Sequence, residues 1–387
     1  MMARDERWED VRLPASTLKP VLRGHPWVYQ DAVVRSSPGA LVRLVSSEGS
    51  VVGFGLADEG DIAVRVLGRG APPDSLKALV FERIRRADAF RLRVVDGETD
   101  AYRVVAGAGD GLPGLVIDRY ADTAVVRVYG RCWEPHLGHV RDALRALGWP
   151  VRVVRKLGVA RVDGGAGLEP LSGELPPDRV VVQEHGMLLW VEIEEGQKTG
   201  TFLDQREHRL LVRRWAPGRM VANLFSYTGG FSVAAALGGA AHVTTIDSAP
   251  AAIELARDNF LLNGLDPEDH AFEVADAFAW RPRSPVDLLI LDPPSLARAG
   301  KSEGAARSAY RKLHRHYGGH VARDGVLVTA SCTSRLPQAV WEAAVAEGLE
   351  GHGDWSWLWH SAEPPDHPTS LAHSEGRYLK LAALRRR

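Results

Sequence analysis

Residues 220–247 read MVANLFSYTGGFSVAAALGGAAHVTTID. An apolar run, MVANLF, stops at SYTGG, a cluster of small residues that permits a tight turn. Helix-compatible small apolar residues follow, and a second apolar run, HVTTID, ends in an acid. Strand, glycine turn, helix and strand make one βαβ crossover, which implies parallel strands. The alternation continues outward. A helix is expected before it at 205–216. After it come a helix at 249–263, strands AFEVAD and VDLLILD, a helix near 304–319, the strand GVLVTAS, a helix at 337–348, and strands WSWLWH and YLKLAAL. Such spacing predicts a mostly parallel sheet covered on both faces, with ligands outside the carboxyl ends of its strands.

The chain before residue 200 has another texture. Short runs, GALVRLVS, SVVGFGLA and DIAVRVLG, are split by turn residues and read as a small β-barrel or sandwich. A helix is expected at 75–93, led in by APPD, then β-rich runs around GDGLPG, a helix at 135–148, and strands near 151–157, 179–184 and 187–194. This is a mixed α+β segment. No internal repeat is visible.

The 387 residues allow two or three domains, and a hydrophobic content of 45% with 25% charged residues is ordinary for a soluble protein. No run of eighteen apolar residues occurs, and the charged start MMARDERWED lacks a signal-peptide core. Two cysteines cannot build a disulfide framework, and CxxC metal spacing is absent, so no metal site is expected. The chain reads as cytoplasmic. A net charge of −1 argues against indiscriminate attraction to polyanions, but ERIRRADAFRLR (82–93) places five arginines on one helix.

Four of the five successive strand ends in the second half deliver Asp or Cys to one rim: TTID, VAD, LILD and TASC. Asp247, about twenty residues beyond the glycine turn, is placed to accept both hydroxyls of a ribose. It is equally suited to capping the next helix with Ser248. Asp276 could meet an adenine amino group, with Ala277 and Phe278 flanking the ring. The turn is not GxGxxG, so the implied pocket holds an adenosine without a pyrophosphate grip, which points to S-adenosylmethionine. Asp292, stiffened by Pro293 and Pro294, is placed to hydrogen-bond the edge of a flat base. Cys332, flanked by Ser331, Thr333 and Ser334, has the polar surroundings of a reactive thiol rather than of an inert small hydrophobe. Thiolate addition at carbon 6 of a pyrimidine makes carbon 5 nucleophilic enough to take a methyl group, and an acid at ring nitrogen 3 assists it.

Taken together, EIEEGQKTGTFLDQREHR, NLFSYTGGFSVAAALGGA, TTIDSAP, LDPPS and SCTS resemble the bacterial S-adenosylmethionine-dependent 23S rRNA cytosine-C5 methyltransferases, and LKPVLRGHPWVYQDAV (18–33) resembles the opening of their PUA domain. The resemblance implies an α/β fold in three parts. These are a PUA-like RNA-binding barrel at 1–70, a central α+β domain at 71–186, and a Rossmann-like class I methyltransferase domain at 187–387 with a mostly parallel seven-stranded sheet. It implies S-adenosyl-L-methionine as cofactor, with Lys198, Phe202, Arg206, Phe225, Tyr227, Gly229, Asp247, Ser248, Asp276, Ala277 and Asp292 around it. Cys332 falls on the family's nucleophile and Asp292 on its base-contacting acid.

The expected partner is ribosomal RNA, with no membrane, and a homodimer is compatible with the chain. Arg83, Arg85, Arg86, Arg91 and Arg93 would hold the RNA by phosphate and shape. Many related enzymes carry a second cysteine in the DPP-equivalent loop, where this chain has Ser295, so the group that removes the carbon-5 proton is not legible. Cys132, in the middle segment, is expected to be packing. Methylation of another atom, guanine N7 or an exocyclic amine, and a non-catalytic assembly role are the alternatives.

Overall fold

The computed structural model describes residues 7–33, 36–159, 162–296 and 303–387. The first six residues of the expected barrel therefore lie outside it. The chain divides into two compact units.

One unit takes the chain up to Val182 together with Val191–Leu203 and Pro365–Gly376. Its first sheet has five strands. Leu41–Val45, Val51–Ala57 and Ile62–Arg69 form an antiparallel meander, Trp8–Arg12 adds in parallel on one side and Trp27–Tyr29 antiparallel on the other. A second five-stranded sheet comprises Ala101–Ala106, Leu115–Tyr120, Thr123–Val128, Arg152–Lys156 and Leu168–Ser172. The helix Leu76–Val94 begins at Ser75, whose side chain accepts from the Ala78 amide, so the cap is this serine rather than the preceding APPD. Leu76, Val80, Ile84 and Ala87 recur at helical spacing and enter one apolar cluster with Phe54, Leu56 and Leu67 of the first sheet and Val104, Ile117 and Val126 of the second. Cys132 lies fully buried beside it and donates its amide to Asp58.

The other unit comprises Gln183–Trp190, Asp204–Pro364 and Arg377–Arg387. It holds a seven-stranded sheet: β1 (Met220–Leu224), β2 (His242–Asp247), β3 (Ala271–Val274), β4 (Val286–Leu291), β5 (Val321–Cys332), β6 (Trp355–Ser361) and β7 (Leu379–Arg386). The spatial order is β3-β2-β1-β4-β5-β7-β6. The first five are parallel and β7 runs antiparallel between β5 and β6. Reversal of strand order beside β1 and β4 makes a switch point, where such sheets form a crevice. β4 is central, and Leu288 to Leu291 are all buried, as an uninterrupted apolar run requires when helices cover both faces.

The helices are α1 (Arg206–Trp215), α2 (Gly230–Leu237), α3 (Pro250–Leu262), α4 (Glu303–Tyr317) and α5 (Gln338–Leu349). α1 brings Arg209 beneath the glycine turn. Its guanidinium donates to both carboxylate oxygens of Glu184, at 2.6 and 2.5 Å, and both residues are buried. Gly230 faces this arginine, and a Cβ there would come within 3.0 Å of its Cδ. Glu184→Ala would leave a buried cation without its partner. We expect a loss of about 3–5 kcal/mol in unfolding free energy, measured by urea titration.

Candidate active site

β1 ends at Leu224 and the chain turns sharply. Phe225 (φ 57°) and Tyr227 (φ 49°) take left-handed conformations, and Gly229 (φ 77°) follows as the residue preceding α2. Two non-glycine residues at positive φ cost roughly 1–3 kcal/mol each, so the surroundings must hold them. They do. Ser226 donates its amide to Ile246 O at 3.0 Å, and Tyr227 donates to Asp247 Oδ2 at 2.8 Å. A side chain at Gly229 would put its Cβ 2.8 Å from that of Ala256 on α3.

Asp247 thus ties the β1 turn to the end of β2. Its other oxygen accepts from the Ala249 amide at 3.0 Å, as a capping acid would. Each oxygen keeps a further lone pair, and the side chain is half-buried. Ser248 is exposed. Beyond β3, exposed Asp276 accepts from the Phe278 amide at 2.9 Å, and buried Ala277 is fixed by Tyr317 of α4, whose hydroxyl donates to its carbonyl at 2.5 Å. The rings of Phe225 and Phe278 meet edge to face at 4.9 Å, with Phe278 48% exposed. The first three strand ends therefore present two acids and an aromatic pair around one turn.

At the next two strand ends stand Asp292 and Cys332. β4 and β5 are parallel neighbours, with Leu291 in register with Thr329. Asp292 Oδ2 accepts from Gln205 Nε2 at 3.0 Å. That leaves the Gln205 carbonyl to meet His208 Nδ1 at 2.5 Å, while His208 Nε2 lies 3.0 Å from the Ser361 hydroxyl. The amide orientation makes Nδ1 the donor, so Nε2 accepts from Ser361. Burial holds the His208 imidazole down to about 4, so at neutral pH it is an uncharged relay that sets the angle of Asp292.

Cys332 is partly exposed and pairs with Leu379 of β7. Next to Leu379, buried Lys380 donates Nζ to Thr333 O at 2.6 Å. Its ammonium interacts electrostatically with Cys332 and Glu363, though burial dominates and lowers its affinity for the proton. Tyr310 of α4 donates to Ser331 at 2.9 Å, and its hydroxyl feels the charges of both Cys332 and Asp292. The thiol is therefore set among polar and cationic groups, not in hydrocarbon.

Three expected cofactor residues stand differently. Lys198 and Phe202 belong to the first unit, where the ammonium sits 4.5 Å from the Phe202 ring centroid. Arg206 is fully buried and donates Nε to Glu207. From this stretch the residue that reaches a candidate catalytic group is the neighbouring Gln205. Its only sequence signal was its place in FLDQREHR, because nothing local announces which amide a fold will aim at a distant acid.

A family model described as S-adenosylmethionine-dependent methyltransferase matches residues 140–347, more than half of the chain. The chain belongs to the S-adenosylmethionine-dependent methyltransferase family. A PUA-like domain model matches residues 11–69 of this methyltransferase. It is 39% identical to a ribosomal RNA large subunit methyltransferase of Deinococcus radiodurans, over 93% of each chain. It is 32% identical to ribosomal RNA large subunit methyltransferase I of Escherichia coli, over 95% of this chain and 96% of the relative. Among solved structures, a candidate methyltransferase from Streptococcus mutans shares the fold, with a TM-score of 0.84, 22% identity, and coverage of 97% and 99% of the two chains. Another, crystallised with S-adenosylhomocysteine, matches with a TM-score of 0.84 at 24% identity, covering 98% and 99%. The cofactor of the methyltransferase is S-adenosylmethionine. No helix among the described residues is long and apolar enough to cross a membrane.

Two buried histidines give the methyltransferase unit an acid limit. His208 and His314, the latter donating Nδ1 to Tyr310 O and accepting at Nε2 from the Thr329 hydroxyl, are each held to about 4 by burial. Unfolded histidines take up protons near pH 6.5, so between 6.5 and 4 the unfolded chain binds protons that the folded chain does not. Stability must therefore fall as pH falls through that window, by up to about 1.4 kcal/mol per pH unit for each histidine. Urea midpoints measured from pH 7 to 4 should decline, and His314→Asn should flatten the decline.

Proposed function

We propose that this methyltransferase forms 5-methylcytosine in large-subunit ribosomal RNA, in the cytoplasm, through a transient Cys332–carbon 6 bond. The observation that carries the reading is a partly exposed thiol and a rigidly held carboxylate at the ends of adjacent strands, within one sheet of this family. The names of the relatives support the substrate class.

The donor set suits the cofactor. Asp247 retains lone pairs for ribose hydroxyls, Asp276 is exposed at the next strand end, and the Phe225–Phe278 pair offers apolar faces to an adenine. Gly229 lets the turn approach closely, with Tyr227, Ser248 and Ala277 beside it. Lys198, Phe202 and Arg206 complete the proposed set. When bound, S-adenosylmethionine supplies an electrophilic methyl group.

The chain's own residues supply the rest. Asp292, its angle fixed by Gln205, binds ring nitrogen 3 and carries the proton that nitrogen gains as sulfur adds. The Cys332 thiolate, favoured by the Lys380 cation, bonds to carbon 6 and makes carbon 5 enamine-like. Carbon 5 then gains the methyl group, its proton passes to water acting as base, the carbon–sulfur bond breaks by β-elimination to return the thiolate, and nitrogen 3 gives its proton back to Asp292. Because a base inside folded RNA must leave its stack, single-stranded or loop cytosines are the easier targets.

Nucleoside mass spectrometry of unmodified ribosomal RNA treated with the enzyme and methyl-labelled cofactor tests this. The label is expected in 5-methylcytidine. Label in 7-methylguanosine or an N-methylated base would overturn it.

A further inference from the structure

The arginine-rich helix Leu76–Val94 does not present its charges as one block. Arg91 is fully buried, donates both terminal nitrogens to Asp110 at 2.6 Å, and bonds the Arg103 and Asp366 carbonyls, so it is a structural pin and not an RNA contact as expected. Arg85 is held by Glu82 at 3.0 Å. What remains is a stripe at i, i+4 and i+7: Arg86, Phe90 and Arg93, all exposed, with Phe90 44% exposed. Among the described residues neither Arg86 nor Arg93 makes a hydrogen bond or ion pair. Shallow depressions lie on both sides of Phe90. One is walled by Arg83, Arg86, Gly109 and Pro368, the other by Arg85, Arg86, Ala89 and Arg93. The acid beside the first, Asp110, is already neutralised by Arg91. Arg83 donates to Gly111 O, and burial together with the nearby Arg86 charge lowers it to about 10. With Arg85 and Arg91 paired to Glu82 and Asp110, Arg86 and Arg93 are the guanidiniums left without an acid beside the exposed Phe90 ring.

We propose that this stripe is a binding platform for single-stranded RNA, with an unpaired base stacked on Phe90 and flanking phosphates on Arg86 and Arg93. The argument is charge complementarity and ring chemistry. Aromatic faces accept any base, and unpaired guanidiniums next to them accept the backbone. The other exposed apolar side chains of this helix, Phe81 and Leu92, lie off the 86/90/93 stripe by helical spacing, so a protein partner would meet a single ring there, and a duplex offers no free base face. The platform rests on the proposed RNA substrate and extends it, because its residues belong to the first unit and not to the unit whose strand ends carry the chemistry.

The test uses the full chain and a labelled oligouridylate of about twelve nucleotides, titrated by fluorescence anisotropy at several salt concentrations. Phe90→Ala should weaken binding about tenfold. The double variant Arg86→Ala/Arg93→Ala should lower the salt slope by about 1.4, two phosphates at about 0.7 each. Arg323→Ala, an exposed arginine of the other unit, should change neither. In methyl-transfer assays the platform variants should raise KM for RNA and leave kcat at saturating RNA unchanged. Unchanged affinity and slope in both platform variants, from an enzyme that still makes 5-methylcytidine, would remove the platform and spare the proposed chemistry. Weakened binding in an enzyme whose product is another methylated base would do the reverse.

Discussion

Cys332→Ala is expected to reduce methyl transfer to ribosomal RNA by about 10⁴-fold or more, with S-adenosylmethionine affinity within about twofold of the parent. Carbon 5 of cytosine is a poor nucleophile until sulfur bonds to carbon 6, so removal of Sγ removes the step and not merely its efficiency. The proposed cofactor acids Asp247 and Asp276 are held at the ends of β2 and β3 by the Tyr227, Ala249 and Phe278 amides, which is why the affinity should survive. A buried, inert cysteine would give the opposite pattern, a modest loss of stability with turnover retained. The partial exposure of Cys332 and its interaction with Lys380 favour the first. Isothermal titration with S-adenosylhomocysteine, run beside a methyl-transfer assay, reads both quantities.

Asp292→Asn is expected to lower kcat by about 10²–10³-fold while KM for RNA moves little. The variant keeps the shape and can still accept from Gln205. It can neither give ring nitrogen 3 its proton as sulfur adds nor carry the negative charge that then stabilises the protonated ring, a stabilisation made only in the transition state. Gln205→Ala should lower kcat by about 10- to 100-fold in the same assay, because the carboxylate remains and only its fixed orientation is lost. If Asp292 served only as a turn acid, its amide variant would retain near-full kcat.

Most of the methyltransferase sheet could be read from residues alone, because its strands are apolar runs that end in glycine turns or acids. MVANLF, HVTTID and VDLLIL each have one plausible state once helices of small or amphipathic residues separate them. Other elements were not legible for identifiable reasons. The helix Ala15–Leu22 contains Pro20, which argues against a helix locally, and the strand Leu168–Ser172 has a proline within five residues and sits next to a register shift. Packing of Val21 into an apolar cluster decides the first, and pairing with Arg152–Lys156 the second. β5 begins at Val321, four residues before the apolar run, and passes through Asp324 at φ 65°, where the dipeptide Asp324-Gly325 reads as a turn and not as the inside of a strand.

The site shows the same division. Strand ends can be listed from a sequence, so the positions of Asp247, Asp276, Asp292 and Cys332 at successive strand ends were legible. Gln205, His208 and Ser361 act through contacts separated by up to 153 positions, and Lys380 by its place on an antiparallel strand beside β5. Arg91 looked like its neighbours in a basic run, and only the partly buried Asp110 on another element separates it from them. Charge in a sequence says nothing about which copies are already paired.

The most direct measurement is incubation of the enzyme and S-adenosylmethionine with ribosomal RNA containing 5-fluorocytidine, followed by denaturing electrophoresis and peptide mass spectrometry. Fluorine on carbon 5 cannot leave as a proton does, so elimination is blocked after methyl transfer. A covalent RNA–protein species whose cross-linked peptide contains Cys332, absent in Cys332→Ala, is the predicted result. Efficient methylation of ordinary RNA with no trapped species, or a cross-link at any other residue, would contradict it.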